Sequence, residues 1–159
     1  MKRLFTAVLL CMATITFAQS VQEGDFKKQF EVYSNKYAQE VVDLMTHKKF
    51  KGREAGTREN FKIMEFIKGE FTAAGLDVQV QEIKAESLAE TIGEPKPGKT
   101  YPENMGNVIA RIKGKQHNKY VIVGAHYDHL GKKKGLGIHP GADDNASGIV
   151  ALLSLAKMM

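Results

Sequence analysis

Tyr120-Val121-Ile122-Val123-Gly124-Ala125-His126-Tyr127-Asp128 is an apolar run that ends in side chains able to carry chemistry. No polar residue alternates with the apolar ones between Tyr120 and Ala125, which is the pattern of a strand covered on both faces. The run therefore predicts a central strand over 119–125. Open α/β sheets gather ligands at the carboxyl ends of their strands, so His126 stands where an imidazole can point into a crevice. Asp128 can accept the second ring N–H, fixing the tautomer and making the other nitrogen more basic. Taken alone, His-x-Asp at a strand end fits a hydrogen-bonded structural histidine as well as it fits a ligand.

Downstream lies a polar, glycine-containing turn, Pro140-Gly141-Ala142-Asp143-Asp144-Asn145-Ala146-Ser147-Gly148. It feeds an apolar helical pattern from Ala146 through Ile149, Val150, Leu152, Leu153 and Ala156 to Met159. Asp144, Asn145 and Ser147 each suit an N-cap, and acids before a helix are favoured by its dipole. This turn alone therefore reads as a cap. The helix meets no Gly or Asn stop signal, which raises the expectation that the natural polypeptide continues.

Upstream, 107–112 predicts a second strand. Only a short link separates it from 119–125, which suits an antiparallel pair and not a parallel crossover. Leu76, Val78 and Val80 alternate with polar residues, as in a strand with one wet face. Phe61, Met64, Ile67, Phe71 and Ala74 form a helical stripe with Thr57 placed to cap it and Gly75 to end it. A further amphipathic helix is predicted over 26–50, with Phe26, Phe30, Tyr33, Tyr37 and Val41 on one face. The glycine-punctuated loop between these helices holds Arg53, read as a structural ion pair or carbonyl contact and not as a site residue. Residues 84–105, with Pro95, Pro97 and Pro102, read as a long loop.

With 43% hydrophobic and 26% charged residues among 159, the chain has the composition of one modest globular domain. Lys2 and Arg3 precede a short apolar run, and small residues follow at Thr16 and Ala18. Residues 1–18 thus read as a secretory signal, leaving 19–159 as one domain and implying a secreted or periplasmic protein. The apolar run is too short for a spanning helix, so no membrane association is expected after cleavage. Removing Lys2 and Arg3, with no acid, lowers the formal charge from +5 to +3. That surplus points to no particular partner, and Lys132, Lys133 and Lys134 lack the aromatic or Arg company of a nucleic-acid patch. Cys11, the one cysteine, lies within the signal. Thiolate chemistry is thereby excluded, and any metal must be held by His and carboxylates.

Together the two segments are specific. Val123-Gly-Ala-His-Tyr-Asp-His-Leu-Gly131 and Pro140-Gly-Ala-Asp-Asp-Asn-Ala-Ser-Gly148 resemble the signature segments of the M28 family of zinc metallopeptidases, aminopeptidases with two co-catalytic zincs. Gly52-Arg53, Gly56-Thr57, Gly75-Leu76 and Asn107-Val108-Ile109 agree, extending the resemblance over about residues 25–159. It implies that His126 binds one zinc, that Asp128 orients it, and that Asp144 bridges both zincs; His129 and His139 match no ligand position. Two metals about 3.5–4 Å apart need such a bridge and share a water of lowered pKa, whose proton a glutamate must accept. No Glu follows Glu103, so the glutamate pair of the family has no counterpart here.

The resemblance implies an α/β fold, a central mixed β-sheet flanked by helices. This chain would be its first half, the N-terminal part of a peptidase that is inactive alone. The implied activity is hydrolysis of N-terminal residues from peptide substrates. An M20-type carboxypeptidase, a glutaminyl cyclase and a non-catalytic M28-like binding module are the competing readings; oligomeric state is left open.

Overall fold

The structure, a computed structural model, describes residues 36–84, 105–116 and 118–159. The signal at 1–18, the apolar positions Phe26, Phe30 and Tyr33, and the proline-bearing loop over 85–104 lie outside the described residues.

Helix α1 spans Ala38–Thr46 and is followed by a short 3-10 turn, Lys48–Phe50. Val41, Met45 and Phe50 face inward from this segment, as the amphipathic pattern requires. Helix α2 spans Arg58–Ala73. The Thr57 hydroxyl accepts the Asn60 N–H at its start, satisfying one of the orphan donors of a helix N-terminus. At its end, Gly75 adopts φ +78°, and Leu76 N–H and Gly75 N–H donate to the carbonyls of Phe71 and Thr72. This is a Schellman closure, which needs a left-handed residue where the chain turns away.

The chain then enters β1, Asp77–Ile83, which pairs antiparallel with β2, Met105–Arg111. Val78 lies opposite Ala110 and Val80 opposite Val108, so four half-buried side chains share the face that α2 covers. Gly106 keeps that approach close: a Cβ there would stand 3.0 Å from Val80 and 3.3 Å from the Met64 sulfur. A second antiparallel pair, β3 (Lys132–Lys133) and β4 (Gly137–Ile138), forms a small ribbon. The last helix, α3, spans Ser147–Met158.

The core lies between the three helices, with Met45, Ile63, Ile67, Ile149 and Leu153 all but inaccessible. Glu70 links the helices at one edge. It accepts the Tyr37 hydroxyl proton at 2.5 Å and pairs with Lys157 at 3.1 Å, while the Lys157 ammonium also sits over the Tyr37 ring. Among the described residues no helix is long and apolar enough to cross a membrane.

Three expectations are corrected. The described residues form two separate two-stranded antiparallel sheets, not a central mixed sheet. Residues 119–125 form no strand, and Val121 and Ile122 are each 92% exposed. The antiparallel partner of β2 is β1, not 119–125. Apolarity states what a segment gains by burial, but not which neighbours cover it, and here no described strand lies beside this one.

Candidate metal centre

Arg53 sets the site's foundation. Its side chain is wholly buried, yet among the described residues its hydrogen-bond partners are all backbone carbonyls. Nε donates to the Tyr127 carbonyl at 3.0 Å, Nη1 to those of Met45 at 2.8 Å and Pro140 at 2.5 Å, and Nη2 to that of Gly141 at 2.9 Å. One guanidinium thus ties the end of α1 to both segments that carry the sequence signatures, a use that its rigid fork of donors allows. Burial pulls its pKa down, while the nearby Asp128 and Asp144 pull it up. Its backbone takes part as well, since its carbonyl accepts from His129 N–H and from the Asn60 amide. The carbonyl contact expected from sequence is what the structure contains, multiplied by four.

Tyr127 anchors the first segment from the other side. Its hydroxyl donates to the Gly106 carbonyl at 2.6 Å. Burial raises its pKa. With the backbone on either side so held, His126 and Asp128 project toward solvent, each about half exposed. His126 Nδ1 lies 3.4 Å from Asp128 Oδ1 and 3.3 Å from the Asp128 carbonyl.

The second segment places Asp144. A π-type turn over Ala142–Ala146 follows Gly141, whose φ of 61° permits the reversal. The cap is taken by Asn145, whose Oδ1 accepts the Gly148 N–H at 3.1 Å, while the Ser147 hydroxyl donates to the Asp143 carbonyl. A side chain on Gly148 would collide with that Asn145 amide. With capping done by its neighbour, the Asp144 carboxylate faces the first segment: Oδ1 is 3.1 Å from His126 Nε2 and Oδ2 is 3.3 Å from His129 Nδ1. Asp143 makes no such contact. The three residues singled out from sequence therefore meet, and His129, which was set aside there, joins them. A second histidine three residues after the first, so that the two flank the acidic turn, was the available signal.

Zinc bonds of about 2.0–2.1 Å at a tetrahedral angle set neighbouring ligand atoms about 3.3–3.4 Å apart. His126 Nε2 and Asp144 Oδ1 at 3.1 Å fit two adjacent positions of such a shell. Among the described residues, however, no group of three or more His, Cys, Asp or Glu is arranged to hold a metal ion.

Residues 107–159 match the model of peptidase family M28. The match includes both segments just described and lies at the C-terminal end of the chain. It corrects the expectations that the chain is the N-terminal part of a peptidase and that it holds the first half of the fold. The elements present are a mixed α/β arrangement with M28-like segments at its C-terminal end. The chain is 34% identical over 97 residues to the uncharacterized protein YfbL of Escherichia coli strain K12, covering 60% of this chain and 25% of that one. It is 33% identical over 126 residues to leucine aminopeptidase 1 of Aspergillus clavatus, covering 76% of this chain and 32% of that one. Leucine aminopeptidase 1 of Paracoccidioides brasiliensis is 34% identical over 91 residues, 57% of this chain and 23% of that one. The chain thus spans about a quarter to a third of the length of the curated relatives it matches. No solved structure matches. These similarities support a role within the metallopeptidase superfamily.

Proposed function

We propose that the protein carrying this chain is a zinc-dependent aminopeptidase, secreted or periplasmic, that hydrolyses N-terminal residues from peptides. The observation that carries this reading is the approach of His126 Nε2 to Asp144 Oδ1 at 3.1 Å, inside the segment that matches peptidase family M28. Leucine aminopeptidase 1 from two fungi supports the exopeptidase direction, and the M28 match weighs against an M20-type carboxypeptidase.

In this reading His126 and Asp144 hold zinc, with Asp144 positioned to bridge a pair. Asp128 keeps the opposite edge of the His126 ring engaged, so that Nε2 presents its lone pair. Arg53 fixes the spacing of the two backbone segments and stays clear of substrate. Zinc, when bound, supplies a water of lowered pKa and polarises the scissile carbonyl.

The test is release of leucine from leucine p-nitroanilide by the protein as encoded by its gene. Release is expected to be chelator-sensitive, restored by zinc, and abolished by Asp144→Ala. Turnover that survives exhaustive chelation, or that survives Asp144→Ala, overturns the proposal.

A further inference from the structure

From Arg111 to Gly124 the chain combines unpaired cations with apolar side chains in water. Between Glu103 and Asp128 it carries no acid, while Arg111, Lys113, Lys115 and Lys119 place four cations within nine residues. All four are exposed, and among the described residues none is held in an ion pair. Beside them Val121, Ile122 and Val123 stand at 92%, 92% and 53% exposure. Adjoining apolar side chains left in water and rimmed by charge mark an interaction surface.

The backbone narrows the choice of partner. From Lys119 to Leu130 the chain runs without a turn or bend, and among the described residues Val121, Ile122, Val123 and Gly124 make no backbone-to-backbone hydrogen bond. Such a segment offers the donors and acceptors of an open strand. A lipid surface would take up the apolar side chains but leave those backbone groups unsatisfied. A second copy of 111–124 would bring four more cations and no acid. An extended acidic peptide meets both demands, since its main chain can pair with 121–124 and its carboxylates can meet the cations.

The segment also leads directly into His126. Antiparallel pairing would run the peptide away from that residue, with its N-terminus at the candidate metal centre. At ~3.3 Å per residue, the stretch from Ala125 back to Lys119 takes about six peptide residues. Carboxylates from about the seventh residue onward would then lie over Lys119 and the cations that precede it.

We propose that residues 111–124 are a binding track for an extended acidic peptide, added antiparallel to 121–124 with its carboxylates over Arg111, Lys113, Lys115 and Lys119. The binding itself needs no metal. Under the aminopeptidase reading above, on which this clause rests, the same peptide is the substrate, with its acids set back from its N-terminus.

The probe is a ten-residue peptide, alternating valine and threonine over its first six residues and ending in four glutamates. It is labelled at its C-terminus and titrated with the full chain in the presence of chelator, with fluorescence anisotropy as the readout. Exposed ion pairs are each worth about twofold, so a peptide ending in four lysines should bind about tenfold more weakly. The triple variant Lys113→Ser, Lys115→Ser, Lys119→Ser should lose about tenfold for the glutamate peptide, with superimposable far-ultraviolet circular dichroism keeping a folding defect out of the comparison. Methylating the peptide nitrogens at odd or at even positions separates strand addition from charge alone, because only one set faces the track. One methylated peptide should lose at least about tenfold and the other less than about threefold.

Equal binding of the glutamate and lysine peptides overturns the proposal, and so does an equal response to both methylation patterns. A full chain that ignores the peptide but sediments with phosphatidylserine vesicles, or forms a dimer broken by Ile122→Pro, overturns it as well. Release of leucine from leucine p-nitroanilide is read separately, because that substrate is too short to reach Lys119. Chelator-sensitive release without peptide binding refutes the track and leaves the zinc reading; peptide binding without release does the reverse.

Discussion

Replacing Arg53 by Ala removes four donors at once from the carbonyls of Met45, Tyr127, Pro140 and Gly141. Hydrogen bonds to charged groups contribute about 1.5–3 kcal/mol each, and four added naively would rival the whole ~5–15 kcal/mol stability of a domain. Desolvation of the guanidinium, which pulls its pKa down, offsets much of that gain. Breaking a buried charged arrangement by removing one partner costs about 3–5 kcal/mol, and that is the loss expected for Arg53→Ala. The backbone gives an internal control. Arg53 has φ +53°, and glycine relieves about 1–2 kcal/mol of left-handed strain that alanine retains, so Arg53→Gly should be the milder variant by about that amount. Urea denaturation followed by circular dichroism measures both. With a slope of about 1–3 kcal/mol/M, the alanine midpoint should fall by about 2 M at unchanged slope. Exchange of the His129 and Gly131 amides, bonded to the carbonyls of Arg53 and Gly52, should accelerate. A loss below about 1 kcal/mol, the range of an ordinary substitution, would refute the role of Arg53 as the clasp between the two segments.

Tyr127→Phe should cost about 1 kcal/mol, the net worth of one hydrogen bond. It should also remove a tyrosine that ionises above the ordinary value. Because burial raises the folded pKa of Tyr127, its contribution is present below the unfolded value and fades as pH rises through the folded one; a spectrophotometric titration with no late-ionising tyrosine in the wild type contradicts this. Ile122→Lys should change stability by less than about 0.5 kcal/mol, as expected for a surface position. A loss of about 3 kcal/mol or more in the same urea assay would return 119–125 to a buried strand. Gly141→Ala should destabilise by about 1–3 kcal/mol through overpacking against His129, and a stabilised variant would contradict the contact.

What could be read from sequence was what is decided within a few residues. The Thr57 cap, the Gly75 reversal and the alternation at Val78 and Val80 are local choices, and each appears in the structure. Arg53 was legible in kind, since a lone arginine between glycines suits carbonyl contacts, but the identity of four acceptors up to 88 residues away was not. Strand pairing failed for the same reason. Apolar content at Val121 and Ile122 states a preference for burial, whereas the neighbour that would satisfy it is a long-range matter, and β2 found β1 instead. At the site, His126 and Asp144 were recognisable from two segments of distinctive sequence. The contact of His129 with Asp144 was not, because it depends on a slot opened by Gly141 in a turn that begins twelve residues later.

Zinc affinity of the full chain, compared among wild type, His126→Ala and Asp144→Ala, bears most directly on the metal centre. Each single variant should weaken binding by at least about tenfold, more than an outer-shell change, and the double variant should be little worse than either, because the two donors serve one shell. Wild-type affinity in both single variants would contradict a metal centre built on His126 and Asp144.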